Sequence, residues 1–113
     1  MYSHIVRAAL SDIAEHVNLA REFTAGETAQ SLASNRKAFL AASRCLGIIS
    51  MAASRLPDGF KQQHARIAWG KIDAAGEIYR DDGQRVDAAT VFAAVHAQLP
   101  PLLNVVQAAL GDA

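Results

Sequence analysis

Along four separate stretches of this chain, apolar residues return every three or four positions, and that period limits the possible fold more than any other feature. Val6, Leu10, Ile13, Val17 and Ala20 lie on alternating steps of four and three, which lays one stripe along a helix of roughly five turns. Arg7, Ser11, Asp12, Glu15 and Asn18 occupy the other side. "TAGE" around Gly26 ends this helix, and "TAQSLAS" adds a short helical turn. The next helix starts at Ser34 or Asn35, side chains that accept a bond from free first-turn amides. Phe39, Ala42, Leu46, Ile49, Ala53 and Leu56 form its core ridge, and the small residues Ser43, Gly47, Ser50 and Ser54 run beside it. Pro57, Asp58 and Gly59 are expected to stop it.

A third helix is expected over 68–80, with Trp69, Ile72, Ala75, Gly76 and Tyr79 facing inward. "DDGQ" breaks the pattern. Asp87 then caps a last helix whose stripe is Val91 or Phe92, Val95, Leu99, Leu102, Val106 and Leu110. Pro100 and Pro101 interrupt that run, and proline removes a helical donor and clashes with the preceding turn, so a kink or short break is expected there. Four amphipathic helices with short connections predict an all-α fold: an antiparallel four-helix bundle with one or two short extra helical turns. With 113 residues the chain forms one domain, 1–113. Its apolar fraction of 51% includes only 6% aromatics, and the alanine that makes up much of the remainder favours closely packed helices over a β-sandwich.

Charge and cysteine content narrow the function classes. Lys plus Arg and Asp plus Glu number 11 each, so there is no bulk positive field for nucleic acid or an acidic membrane, and any RNA contact would be local. No DNA or membrane partner is expected. The N-terminal "MYSHIVRAALSDIAEHV" holds Asp12 and Glu15 inside its apolar pattern, unlike a signal peptide or membrane span. A single cysteine, Cys45, forms no internal disulfide, which suits a reducing cytoplasm.

Metal and cofactor chemistry finds little support. His4, His16, His64 and His96 are scattered, and none lies three residues after Glu15, Glu22, Glu27 or Glu77, as a di-iron bundle requires. Cys45 lacks a ligand-type neighbour at zinc spacing and reads as a small core residue among Ala38, Ala41, Ile48 and Ala52. Gly70, Gly76 and Gly83 do not form a phosphate-cradling loop. No cofactor is expected. Asp73, Glu77 and Asp81, at steps of four, put three carboxylates on one helix face. Two readings are open: a site for a hard cation or a basic partner, or a solvated face relieved by Lys71, Arg80 and Arg85.

From Arg66 to Leu102 the chain reads "RIAWGKIDAAGEIYRDDGQRVDAATVFAAVHAQLPPL", and here it resembles the HEPN superfamily and, within it, the HepT-like branch. "VRAALSDIAEHVNLAREFTAG" is similar to the family's first helix and "NRKAFLAASRCLGIISMAASRLP" to its second long helix. Ile67, Trp69 and Ile72 match an Ile-Pro-Trp-x-x-Ile entry to the third, and Val86, Asp87, Val91 and Phe92 a Val-Asp-x-x-x-Val-Trp step. "QLPPLL" closes in the same register. The resemblance implies a compact helical bundle of the kind that acts as a toxin ribonuclease beside a small nucleotidyltransferase antitoxin.

The family's active segment is Arg-Asn, three residues, then His-x-Tyr. Counted back from Val86 and Asp87, its arginine falls on Gly76, its asparagine on Glu77, its histidine on Asp81 and its tyrosine on Gly83. Metal-free RNA cleavage needs a base near neutral pKa for the ribose 2′-hydroxyl and a fixed cation for charge growing on phosphorus. An exposed aspartate, with an ordinary pKa of ~3.9, is a poor base. No histidine lies between Trp69 and Asp87, and Glu77 and Asp82 repel phosphate where the family supplies attraction. Arg80 and Arg85 are the nearest substitutes for the cation, and His64 the nearest imidazole before Trp69.

The resemblance also implies that Gly76 looks towards a dimer cleft, where a glycine would let two bundles approach closely. The expectation is therefore a cytoplasmic homodimer, a catalytically degenerate relative of the toxin ribonucleases that acts by binding a protein, with a nucleotidyltransferase-type antitoxin as the implied partner. The tyrosine that such a partner would modify is absent at Gly83. Two alternatives stand: an active ribonuclease with a relocated site using Asp81, Arg80, Arg85 or His64, and a helical adaptor whose Asp73, Glu77 and Asp81 stripe holds a cation or a basic surface.

Overall fold

The computed structural model describes residues 2–82 and 87–111, and the side chains of 2–74, 76 and 87–111. Among these the regular structure is entirely helical. Helix α1 spans His4–Phe23, α2 Ala29–Ser34, α3 Arg36–Ala53, α4 Asp58–Gln63, α5 Trp69–Asp82, α6 Ala88–Ala93 and α7 Leu99–Gly111, with a π-helical turn, Ala94–Gln98, between the last two. Four long runs (α1, α3, α5 and α6 through α7) carry the four apolar stripes. α1 packs against α3 and α7, α3 against α5, and α2 against α6.

Local chemistry explains the boundaries. The Ser3 hydroxyl accepts from the Val6 amide at 3.2 Å to start α1, and beyond its end Gly26 turns the chain at φ +78°, a conformation glycine adopts without a Cβ clash. Thr28 and Ser31 form a reciprocal capping box on α2. Asn35, one of the two expected starts, caps α3 through a 3.1 Å bond from the Ala38 amide. Asp87 caps α6 by accepting from the Thr90 amide at 2.7 Å. The stripe of α1 is buried throughout, as are Ala42, Leu46, Ile49, Ala53 and Leu56 on and just after α3. Each such Leu, Ile or Val contributes about 1.5–3 kcal/mol by leaving water.

Two expectations need correction. α3 ends at Ala53 with Ser54 as its C-cap, before Pro57 is reached, and Pro57, Asp58 and Gly59 instead begin α4. Pro57 needs no amide donor at a helix start, Asp58 suits the positive end of the helix dipole, and Phe60 anchors the turn in the core at 4% exposure. The Phe60 ring packs in T-shaped arrangements with Tyr2 and Trp69, at centroid distances of 5.8 and 6.3 Å. The disturbance expected at Pro100 and Pro101 takes the form of the π-helical turn just before them, not of a break in the last helix. The Leu99 amide reaches back five residues to the Ala94 carbonyl, and this wider turn sets both prolines in the first turn of α7, where missing donors cost least.

The run Ala88–Gly111 is long and apolar enough to cross a membrane by length and composition. In this fold Val91, Val95, Leu99, Leu102 and Val106 are buried in the common core instead.

Candidate functional site

Helix α5 carries the motif positions. Gly76 is buried within it, so the place matched to the family's arginine has neither a side chain nor a solvent-facing surface. Asp73 is exposed one turn earlier, and its backbone carbonyl lies 3.5 Å from the Ser50 hydroxyl of α3. Glu77, Arg80 and Asp81 belong to α5, but their side chains lie outside the described set. Gly83 and Arg85 lie outside the described residues altogether, so whether Asp81, Arg80 and Arg85 come together is not part of this geometry. Among the described residues no three His, Cys, Asp or Glu side chains converge as a metal site.

His64, offered as a substitute base, ends α4. Its ring lies 4.7 Å from that of Phe60, and its carbonyl accepts from the Trp69 indole N–H at 3.1 Å. The same N–H reaches the Lys61 carbonyl at 3.2 Å. His64 thus helps fix the entry to α5, a structural duty that its position before Trp69 did not announce. Cys45 is buried at 3% exposure, and burial pushes its thiol up to about 11. It is an inert core side chain.

Sequence reasoning missed the pairing of His96 with Thr24, 72 residues apart. Thr24 is 1% exposed and its hydroxyl donates to the Ala20 carbonyl at 2.9 Å. Its oxygen is therefore left to accept from His96 Nε2, 3.2 Å away. That assignment places the neutral imidazole's proton on Nε2 and leaves Nδ1 as an acceptor. The His96 ring also lies 4.3 Å from that of Phe92. Beside it opens a shallow cleft of about 680 Å³ lined by Asn18, Arg21, Glu22, Ala25 and His96. Asn18, Arg21 and Glu22 share one face of the end of α1 at helical spacing and Ala25 follows in the turn, but nothing in the sequence ties them to His96.

Comparison with known proteins settles the family. A family model described as ribonuclease HepT-like matches residues 13–109. The chain belongs to the HepT-like family. A probable ribonuclease HepT of the archaeon Thermococcus cleftensis is 29% identical over 93 residues, covering 82% of this chain and 84% of the relative. No solved structure matches the chain. The matched span runs from the middle of α1 into the end of α7, so all four long helices take part in the HepT-like likeness.

Proposed function

We propose that this chain is a HepT-like protein that has given up the family's RNA chemistry and works by binding another protein, with a nucleotidyltransferase-type antitoxin as the partner class implied by its family. The observation that carries this reading is Gly76, a buried glycine inside α5 at the place matched to the motif's arginine. Without a guanidinium, charge developing on a phosphate has no fixed cation there, and loss of one such stabiliser costs roughly a hundredfold to a thousandfold in rate. The aspartate matched to the histidine, Asp81, supplies negative charge and a weak base. In this reading the protein is a cytoplasmic homodimer of toxin-antitoxin type whose cleft serves assembly. Co-expression with the product of the adjacent reading frame tests it: a stable complex on size-exclusion chromatography is expected, and no association with that product would remove the reading.

One observation favours a second reading, an active ribonuclease with a relocated site. Arg21 and His96 bring a guanidinium and an imidazole to the same cleft, the two groups that metal-free cleavage needs. Glu22 lines that cleft as well and opposes a phosphate. Growth arrest on expression without the neighbour, relieved by His96→Ala, would support this reading over the first.

A further inference from the structure

A separate cleft of about 320 Å³ opens where α3 ends and α5 begins, lined by Ser50, Ala53, Ser54, Lys61, Trp69, Gly70 and Asp73. Trp69 is half-buried and held by its indole N–H, which is shared between the Lys61 and His64 carbonyls, so its ring is fixed before anything binds. Asp73 stands four residues later on the same helix, which puts its carboxylate beside that ring. Lys61 is the internal occupant, but a loose one. Its ammonium sits 6.0 Å from the Trp69 centroid, the outer limit of a useful cation–π contact. Asp73 has no ion pair among the described residues, where the pair within 4.0 Å is Arg55 with Asp12. A fixed indole face next to a carboxylate without an ion pair among the described residues suits a planar guanidinium, which stacks on the ring and offers two parallel N–H donors to the carboxylate.

We infer that this cleft is a docking point for an arginine side chain on a basic segment of a protein partner, entering over Trp69, pairing with Asp73 and displacing Lys61. Gly70 lines the cleft without a side chain, and a Cβ added there would meet no atom within 4 Å, so there is room for a larger residue. The inference rests on the reading that the chain works by binding a protein, and it names the surface and the partner's chemistry.

The chain has one tryptophan, so intrinsic fluorescence reports on this cleft directly. A short arginine-rich peptide, titrated at low salt, is expected to shift Trp69 emission saturably, while a glutamate-rich peptide of equal length does not. Asp73→Asn is expected to weaken the arginine peptide about fivefold, the upper end for an exposed ion pair. Gly70→Leu fills the cleft and abolishes the response, and Lys61→Ala tightens binding by removing the competitor. Glu15→Gln, on the exposed side of α1, leaves binding unchanged. Absence of an emission change, or equal affinity in the Asp73→Asn variant, overturns the inference. In that case the neighbour complex would still form if the protein-binding reading holds, so the two failures are distinguishable.

Discussion

Ser43 offers the sharpest test of the packing between helices. It lies on α3 at 1% exposure, and its hydroxyl has no hydrogen-bond partner among the described residues. Ser50, seven positions on along the same face, is equally buried, yet its hydroxyl lies 3.5 Å from the Asp73 carbonyl of α5. An unpaired buried hydroxyl costs about 1–3 kcal/mol, and alanine adds up to about 0.5 kcal/mol of helix propensity. Ser43→Ala leaves the Cβ in place, so it opens almost no cavity. The expected result is stabilisation by about 1–3 kcal/mol. Unfolding entropy of ~2.1 cal/mol/K per residue gives roughly 0.24 kcal/mol/K for a chain of this length, or a rise in Tm of about 4–12 °C. Urea denaturation followed by circular dichroism should show a higher midpoint at unchanged slope. Ser50→Ala, by contrast, is expected to be neutral or destabilising. Loss of about 1 kcal/mol or more in the Ser43→Ala variant would refute the reasoning, because it would mean the hydroxyl has a partner in the folded protein.

Three further outcomes follow from the same geometry. Cys45, its thiol pushed up to about 11, should be only about 0.1% thiolate at pH 8, so a disulfide reagent should label the native chain slowly and the urea-unfolded chain at once; rapid native labelling would contradict its burial. A double-mutant cycle of Thr24→Val and His96→Ala should give a coupling of about 0.5–1.5 kcal/mol in urea melts, and additive effects would remove the Thr24–His96 bond as a link between α1 and the π turn. Hydrogen bonds from the Thr90 side chain and then from its amide hold the Asp87 carboxyl below its usual range, and the Ser31 and Asn35 side chains do the same for Glu27. A depressed folded-state pKa contributes stability that is complete above the unfolded value and is lost as pH falls through the folded one. Melting temperature should therefore decline below about pH 4, and less steeply in an Asp87→Ala, Glu27→Gln variant; an identical acid profile would exclude both groups.

Much of the fold was written in local patterns. The stripe from Val6 to Ala20, the caps at Asn35 and Asp87 and the turn at Gly26 follow from residue types and spacing alone. Helix α4 was hidden because Pro57, Asp58 and Gly59 signal both the end of one helix and the start of another, and only the burial of Phe60 against Tyr2 and Trp69 decides between them. The π turn escaped for a related reason: prolines at 100 and 101 predict a disturbance without saying which kind. Of the site, sequence reading anticipated the burial of Cys45 and put Asp73 and Gly76 on one helix. It could not find the cleft that holds Arg21 and His96, because that contact depends on a long-range crossing of α1 by the last helical run. Nor could spacing alone assign His64 its place beside Phe60.

The central claim is that the α5 segment, with Gly76 and Asp81 at its motif positions, no longer supports RNA cleavage. Incubation of transfer RNA and messenger RNA with the purified chain, free of contaminating nuclease and without added metal, tests it most directly. Intact RNA after prolonged incubation at excess protein is the predicted result. Cleavage that disappears on Arg80→Ala or Asp81→Asn would contradict it.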